Sequence, residues 1–198
     1  MTNRNTFGFV KVFREEKHLD DFLDGRIYFN RIAFFKSYTN EQGEKRGDPL
    51  EGCIGYFQTE IAEISINGVR VERFLGSLAV YSDELENRNA FCLYSIDIPD
   101  QRLDDLDYIQ KNFKLDESNF PLGEHAVFVQ DVAQFVERLN SALQNSTLES
   151  RHMYAKYIDK SEVNEMFPEK YWGFHKSDEF IKQNEYRVVI DRHELKRN

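Results

Sequence analysis

The chain has 198 residues, 40% of them hydrophobic and 14% aromatic with 17 Phe and 10 Tyr; this suffices for a packed core, and a chain of such length buries roughly 70% of its unfolded surface. Its formal charge of −9 excludes a broad, nonspecific grip on nucleic acid, which depends on Lys and Arg neutralising phosphates, and leaves room only for a local basic patch. Cys53 and Cys92 form neither a C-x-x-C pair nor a ligand-rich cluster, no run approaches the roughly 18 apolar residues of a membrane span, and the polar start Met1–Thr6 lacks the apolar core of a signal peptide. These features lead us to expect one globular cytoplasmic domain over residues 1–198, with both cysteines reduced and no linker or internal repeat.

In chain order, Phe7 to Arg14 alternates Phe7, Phe9, Lys11 and Phe13 against Gly8, Val10, Val12 and Arg14, the period of a strand. Lys11 interrupts an aromatic row, so it belongs either at the strand's wet end or facing an anion. Glu15 to Asp24 reads as a short helix with Leu19, Phe22 and Leu23 on one face and Gly25 as its stop. Ile27-Tyr28-Phe29 is expected to be a second strand, and Asn30 to cap an apolar segment containing Ile32, Phe34, Phe35 and Tyr38. The charged stretch Thr39–Gly52, with turns at Gly47 and Pro49 and alternating charge at Arg46, Asp48 and Glu51, reads either as a surface loop with internal ion pairs or as a substrate-binding loop.

A β-rich middle follows: Cys53–Gln58, Ile61–Ile66 and Val69–Phe74, the last two joined by Asn67-Gly68. Both residues of that dipeptide tolerate positive φ, so a hairpin with a type I′ turn is expected. Ala79–Tyr81 and Ala90–Ile98 read as further strands, and Asp100–Phe113 as a helix with an acidic start. Ala126–Val129 reads as a strand, and Asp131 as the cap of a helix over Val132–Leu143. Its stripe Val132, Phe135, Val136, Leu139 and Leu143 is core material. Met153–Ile158 is read as one strand and Ser161–Tyr171 as turns or a brief helix.

Near the C-terminus, Gln183-Asn184-Glu185 leads into Tyr186-Arg187-Val188-Val189-Ile190, a β-branched and aromatic run. A carboxylate therefore stands where a loop becomes a strand, a place that fixes the backbone and leaves access from one side. In an extended chain Gln183 and Glu185 point the same way. The ordinary alternative is a solvated Glu185 paired with Arg187. The sequence has no G-x-G-x-x-G, Walker loop, H-E-x-x-H or G-x-S-x-G motif, and its five histidines are dispersed.

Lys11-Val12-Phe13-Arg14, Gly25-Arg26-Ile27-Tyr28-Phe29-Asn30 and Arg46-Gly47-Asp48-Pro49, closed by Gln183-Asn184-Glu185-Tyr186-Arg187, resemble a family of uncharacterised bacterial and phage proteins. In outline their order also resembles the ADP-ribosyltransferase-like superfamily. The resemblance lies in the two ends of the chain. It implies an α+β fold with a split β-sheet core, flanking helices and an inserted β-hairpin. It further implies NAD as substrate and a protein or nucleic-acid acceptor for the ADP-ribose, in conflict between bacteria and phage.

By the same resemblance Glu185 is the catalytic glutamate and Gln183 orients the acceptor. Lys11 or Arg14 contacts the dinucleotide, Tyr28 or Asn30 supports the nicotinamide riboside, and Phe34 or Phe35 stacks on nicotinamide. These roles make chemical sense. Loss of nicotinamide places positive charge on the ribose, and a carboxylate on a ribose hydroxyl stabilises it more in the transition state than in the ground state. The first strand lacks a histidine, and no Ser-Thr-Ser run follows Phe29. The rival reading is a non-catalytic module that holds a nucleotide or a protein in the same cleft. A third, a metal-dependent nuclease, has Asp48, Glu51 and Glu185 to offer but no recognisable motif.

Overall fold

The alternating residues after Arg4 do form a strand, β1 (Arg4–Phe13), but its register against a neighbouring strand shifts between Thr6 and Gly8. The shift takes Phe7 out of the expected row. Phe7 packs edge-on against Phe113, whereas Phe9 is 1% exposed and stacks on Tyr186. The computed structural model describes residues 4–39, 47–58, 60, 63, 65–71, 76–146 and 148–191. The expected role of Arg46 and half of the flanks of the Asn67-Gly68 hairpin lie outside these residues.

After β1 come α1 (Glu16–Leu23), β2 (Asn30–Arg31), α2 (Ile32–Ser37), β3 (Cys53–Phe57), β4 (Ser65–Ile66), β5 (Val69–Arg70), β6 (Leu78–Tyr81) and α3 (Asp83–Asn87). The chain continues with β7 (Asn89–Pro99), α4 (Leu106–Asn112), β8 (His125–Val129), α5 (Val132–Gln144), β9 (Glu149–Tyr154), β10 (Lys156–Ile158), β11 (Glu165–Met166), β12 (His175–Ser177) and β13 (Glu185–Asp191). With helices beside largely antiparallel ladders the protein is α+β. Among the described residues no helix is long and apolar enough to cross a membrane.

The chain divides into two compact units, neither continuous in sequence. The first comprises Met1–Phe29, Phe91–Tyr154 and Lys182–Asn198. Its sheet has the order β8-β1-β7-β13-β9, with β1 antiparallel to both β7 and β8 and β13 antiparallel to β9. Phe9, Phe91, Leu93, Tyr186, Val188 and Ile190 cluster with Leu139 and Leu143 of α5, and Phe22 of α1 closes the cluster. The α5 stripe is core, as its spacing predicts, and the Asp131 carboxylate caps the helix by accepting from Gln134 N at 2.8 Å. Burying each such aromatic contributes about 1.5–3 kcal/mol relative to leaving it in water.

Local pattern misleads at three places in this unit. Ile27-Tyr28-Phe29 is not a strand; the ladder begins only at Asn30. The expected helix Asp100–Phe113 is a 3-10 turn, Asp100–Arg102, followed by α4. Met153–Ile158 is split between β9 and β10, which belong to different sheets and different units. Gly123 sits just before β8, where an added Cβ would lie 2.0 Å from the Phe13 carbonyl oxygen. That obstacle is backbone, so Gly123→Ala is expected to destabilise the fold by about 1–3 kcal/mol, as overpacking does. A thermal midpoint equal to that of the parent would show that β1 can move aside.

The second unit comprises Asn30–Ala90 and Ala155–Ile181. It holds the antiparallel sheet β11-β3-β6, the parallel pair β10-β12 and the hairpin β4-β5. Inside it β2 pairs with Asn89 and Ala90, the first two residues of β7. The hairpin turn is as expected, with Asn67 at φ 52 and Gly68 at φ 78. Leu50, Cys53 and Phe167 form the buried centre, and Cys53 Sγ donates to the Gly55 carbonyl.

Candidate functional site

Glu185 is the first residue of β13, as expected of a loop-to-strand carboxylate, and the turn before it is pinned by polar contacts. Asn184 has φ 36, a left-handed conformation that asparagine tolerates better than most residues. Its side chain donates to Ser95 O at 2.6 Å and Asp97 Oδ2 at 3.0 Å, while its carbonyl accepts from Ser95 N at 2.9 Å. Asp97 also accepts from Ser95 Oγ and, at 2.9 Å, from Thr6 Oγ1, which in turn bonds the Tyr154 hydroxyl. This network anchors the start of β13 to β1, β7 and β9.

The left-handed residue corrects one expectation. Gln183 ends the 3-10 turn Asp178–Gln183, so the extended-chain argument that places its side chain beside that of Glu185 does not apply. The partner of Glu185 is Arg187, whose Nη2 donates to Oε2 at 2.7 Å. The pair is not a solvated surface bridge, since the Arg187 side chain is 0% exposed and that of Glu185 12%. Between them Tyr186 turns into the core, where its hydroxyl bonds His152 Nδ1 and His152 Nε2 meets Asn140 Oδ1 at 2.8 Å. Burial pushes Tyr186 up to about 12 and lowers His152.

Of the two first-strand cations, Lys11 is the one that feels Glu185. Its ammonium donates to the Cys92 carbonyl at 2.9 Å and lies 4.7 Å from the Phe91 ring centroid. Burial lowers its pKa, and the nearby Cys92 and Glu185 offset part of that. Arg14 lies beyond the end of β1 and is exposed, and Tyr28 is 77% exposed. Asn30 and Phe35 belong to the second unit. There Asn30 Oδ1 accepts from Arg31 N, while Phe35 meets Phe34 edge-on at 5.6 Å. In the first unit Lys11 thus lies within electrostatic reach of Glu185, which is itself ion-paired with the enclosed Arg187.

The other candidate acids, Asp48 and Glu51, are not on a surface loop. They are 2% and 1% exposed. Asp48 accepts from Leu50 N and from Ser177 N, both at 2.8 Å, and Glu51 faces Lys176 at 3.5 Å. These contacts give both carboxylates a structural task, and Glu185 stands in the other unit. Among the described residues no three or more His, Cys, Asp or Glu side chains gather as metal ligands would. The nuclease reading thereby loses its donor set.

Sequence also gave no hint of His175, which stacks on Phe167 at 3.9 Å and is 5% exposed. Burial, with a smaller push from Lys156, lowers it from its ordinary 6.5 to about 4. An unfolded chain takes up this proton near 6.5 and the folded chain only near 4, so stability falls as pH drops between those values and levels off below. The loss totals about 3 kcal/mol. His175→Phe should flatten this part of the urea-stability profile between pH 4 and 7; an unchanged slope would assign it to other groups. No family model, curated protein or solved structure matches the chain.

Proposed function

We propose that this chain is an ADP-ribosyltransferase-like protein that uses NAD to modify a protein or nucleic-acid acceptor, as a factor in conflict between bacteria and phage. In this reading the finer architecture is the split β-sheet core with flanking helices, and β4-β5 is the inserted hairpin. The supporting observation is that Lys11 near one end of the chain and Glu185 near the other fall within electrostatic reach in one sheet. Lys11 holds the pyrophosphate. Glu185 accepts a hydrogen bond from a ribose hydroxyl and stabilises the charge that develops as the bond to nicotinamide breaks. The acceptor's nucleophile then takes the ADP-ribose.

One observation favours a second reading, the non-catalytic binding module. Arg187 already compensates the Glu185 charge at 2.7 Å, as a fixed structural ion pair does. Incubating the purified chain with NAD while following free nicotinamide, alongside the thermal shift with NAD, separates the two. Nicotinamide release supports the transferase. A thermal shift without release, with acceptor proteins and nucleic acids supplied, supports the binding module; neither effect removes NAD from the account.

A further inference from the structure

A cationic cluster in the second unit takes no part in the reading above. Tyr171 ends the 3-10 turn Glu169–Tyr171, and two lysines converge on it. Lys156 Nζ lies 3.4 Å from the ring centroid and Lys170 Nζ 4.8 Å from it. Lys156 opens β10 in parallel register with His175 of β12, and His175 meets the Tyr171 ring edge-on at 6.3 Å and 88°. Among the described residues neither ammonium has a carboxylate within ion-pair range.

This arrangement is unusual for a chain with 35 Asp and Glu against 26 Lys and Arg. Like charges gathered on one ring repel, and the attraction of a ring face for a cation is modest at an exposed site. An acidic protein has carboxylates to spare, yet among the described residues none closes this pair. A dianion does so naturally: two ammonium groups and a phenol hydroxyl supply hydrogen-bond donors around a tetrahedral oxyanion. The surroundings hold these donors in place. Trp172, the next residue, is tied through Nε1 to the Phe167 carbonyl at 2.8 Å, and His175 is wedged between Phe167 and Tyr171. His175 stays neutral, so the positive charge belongs to the lysines, and it is those lysines that draw the Tyr171 phenol below its ordinary pKa.

We propose that Lys156, Lys170 and Tyr171 form a phosphoryl-binding site, which takes inorganic phosphate or the phosphate ester of a small molecule. The site is separate from the NAD reading, because it shares no residue with it.

The test is an NMR titration of the full chain in a phosphate-free buffer, following the Tyr171 ring and lysine Nζ signals at constant ionic strength. Inorganic phosphate, pyrophosphate and AMP are the probes, and chloride is the control. The expected result is a saturable shift with Kd of about 1 mM or tighter for at least one probe. Affinity should fall at least about tenfold in Lys156→Ala. Lys170 is exposed on the turn, so Lys170→Gln keeps the fold and should show the same loss. Tightest binding of AMP assigns an ester ligand, and tightest binding of phosphate or pyrophosphate an inorganic one. A shift reproduced by chloride, an affinity unchanged in Lys170→Gln, or no saturation by any probe overturns the proposal.

Discussion

Replacing Arg187 by methionine is expected to cost about 3–5 kcal/mol of folding stability, among the larger effects open to a single substitution. The side chain is wholly enclosed and bonded at 2.7 Å to a carboxylate that is itself 12% exposed. Methionine retains an unbranched chain of similar reach. What it removes is the charge, and Glu185 is then left buried without its nearest counter-ion. For a chain of this size the loss amounts to a fall of roughly 6–20 °C in thermal midpoint. The double variant Glu185→Gln with Arg187→Met should be more stable than the sum of the two single losses implies, with a coupling of about 1–3 kcal/mol, because no buried charge of the pair remains. A single variant within about 1 kcal/mol of the parent would show that Arg187 is carried by its other contacts.

The parts of this fold that sequence discloses are those decided by neighbours a few residues away. Asn67-Gly68 sets its own turn, Asp131 caps its own helix, and the α5 stripe repeats at helical spacing. Partners chosen across the chain stay hidden. Asp48 and Glu51 sit in a charged stretch that looks solvated, yet Asp48 finds its second donor in Ser177, 129 residues away. Met153 to Ile158 carries one continuous strand pattern, although the chain changes sheets at Ala155. Alternation tells which residues share a face of a strand but not which strand comes to lie beside it.

The candidate site divides along the same line. Glu185 at the head of a strand and Arg187 two residues on are local and legible, as is the interruption of an aromatic row by Lys11. That Lys11 lies within electrostatic reach of Glu185 is visible only in the sheet, whose order β1-β7-β13 sets the first strand near the last. The failure at Gln183 comes from one dihedral angle: a left-handed Asn184 reorients everything before it, and asparagine is compatible with that conformation without requiring it.

If the transferase reading is right, Glu185→Gln should lower nicotinamide release by at least about 100-fold, the scale lost when a group that stabilises transition-state charge is removed. Glutamine keeps the size and an acceptor oxygen for Arg187, so part of the 2.7 Å bond survives in neutral form, and β13 still has its backbone anchors at Asn184 and Ser95. Circular dichroism should accordingly match the parent. The kinetic signature separates this role from a structural one. A carboxylate acting on the developing charge lowers kcat with little change in KM, whereas Lys11→Met, which removes a dinucleotide contact, should mainly raise KM. Lys11 lies in a partly apolar setting beside Phe91, so methionine fills its place without a cavity. A folded Glu185→Gln chain that releases nicotinamide at the parent rate would take Glu185 out of the chemistry and leave it as the counter-ion that allows Arg187 to be buried.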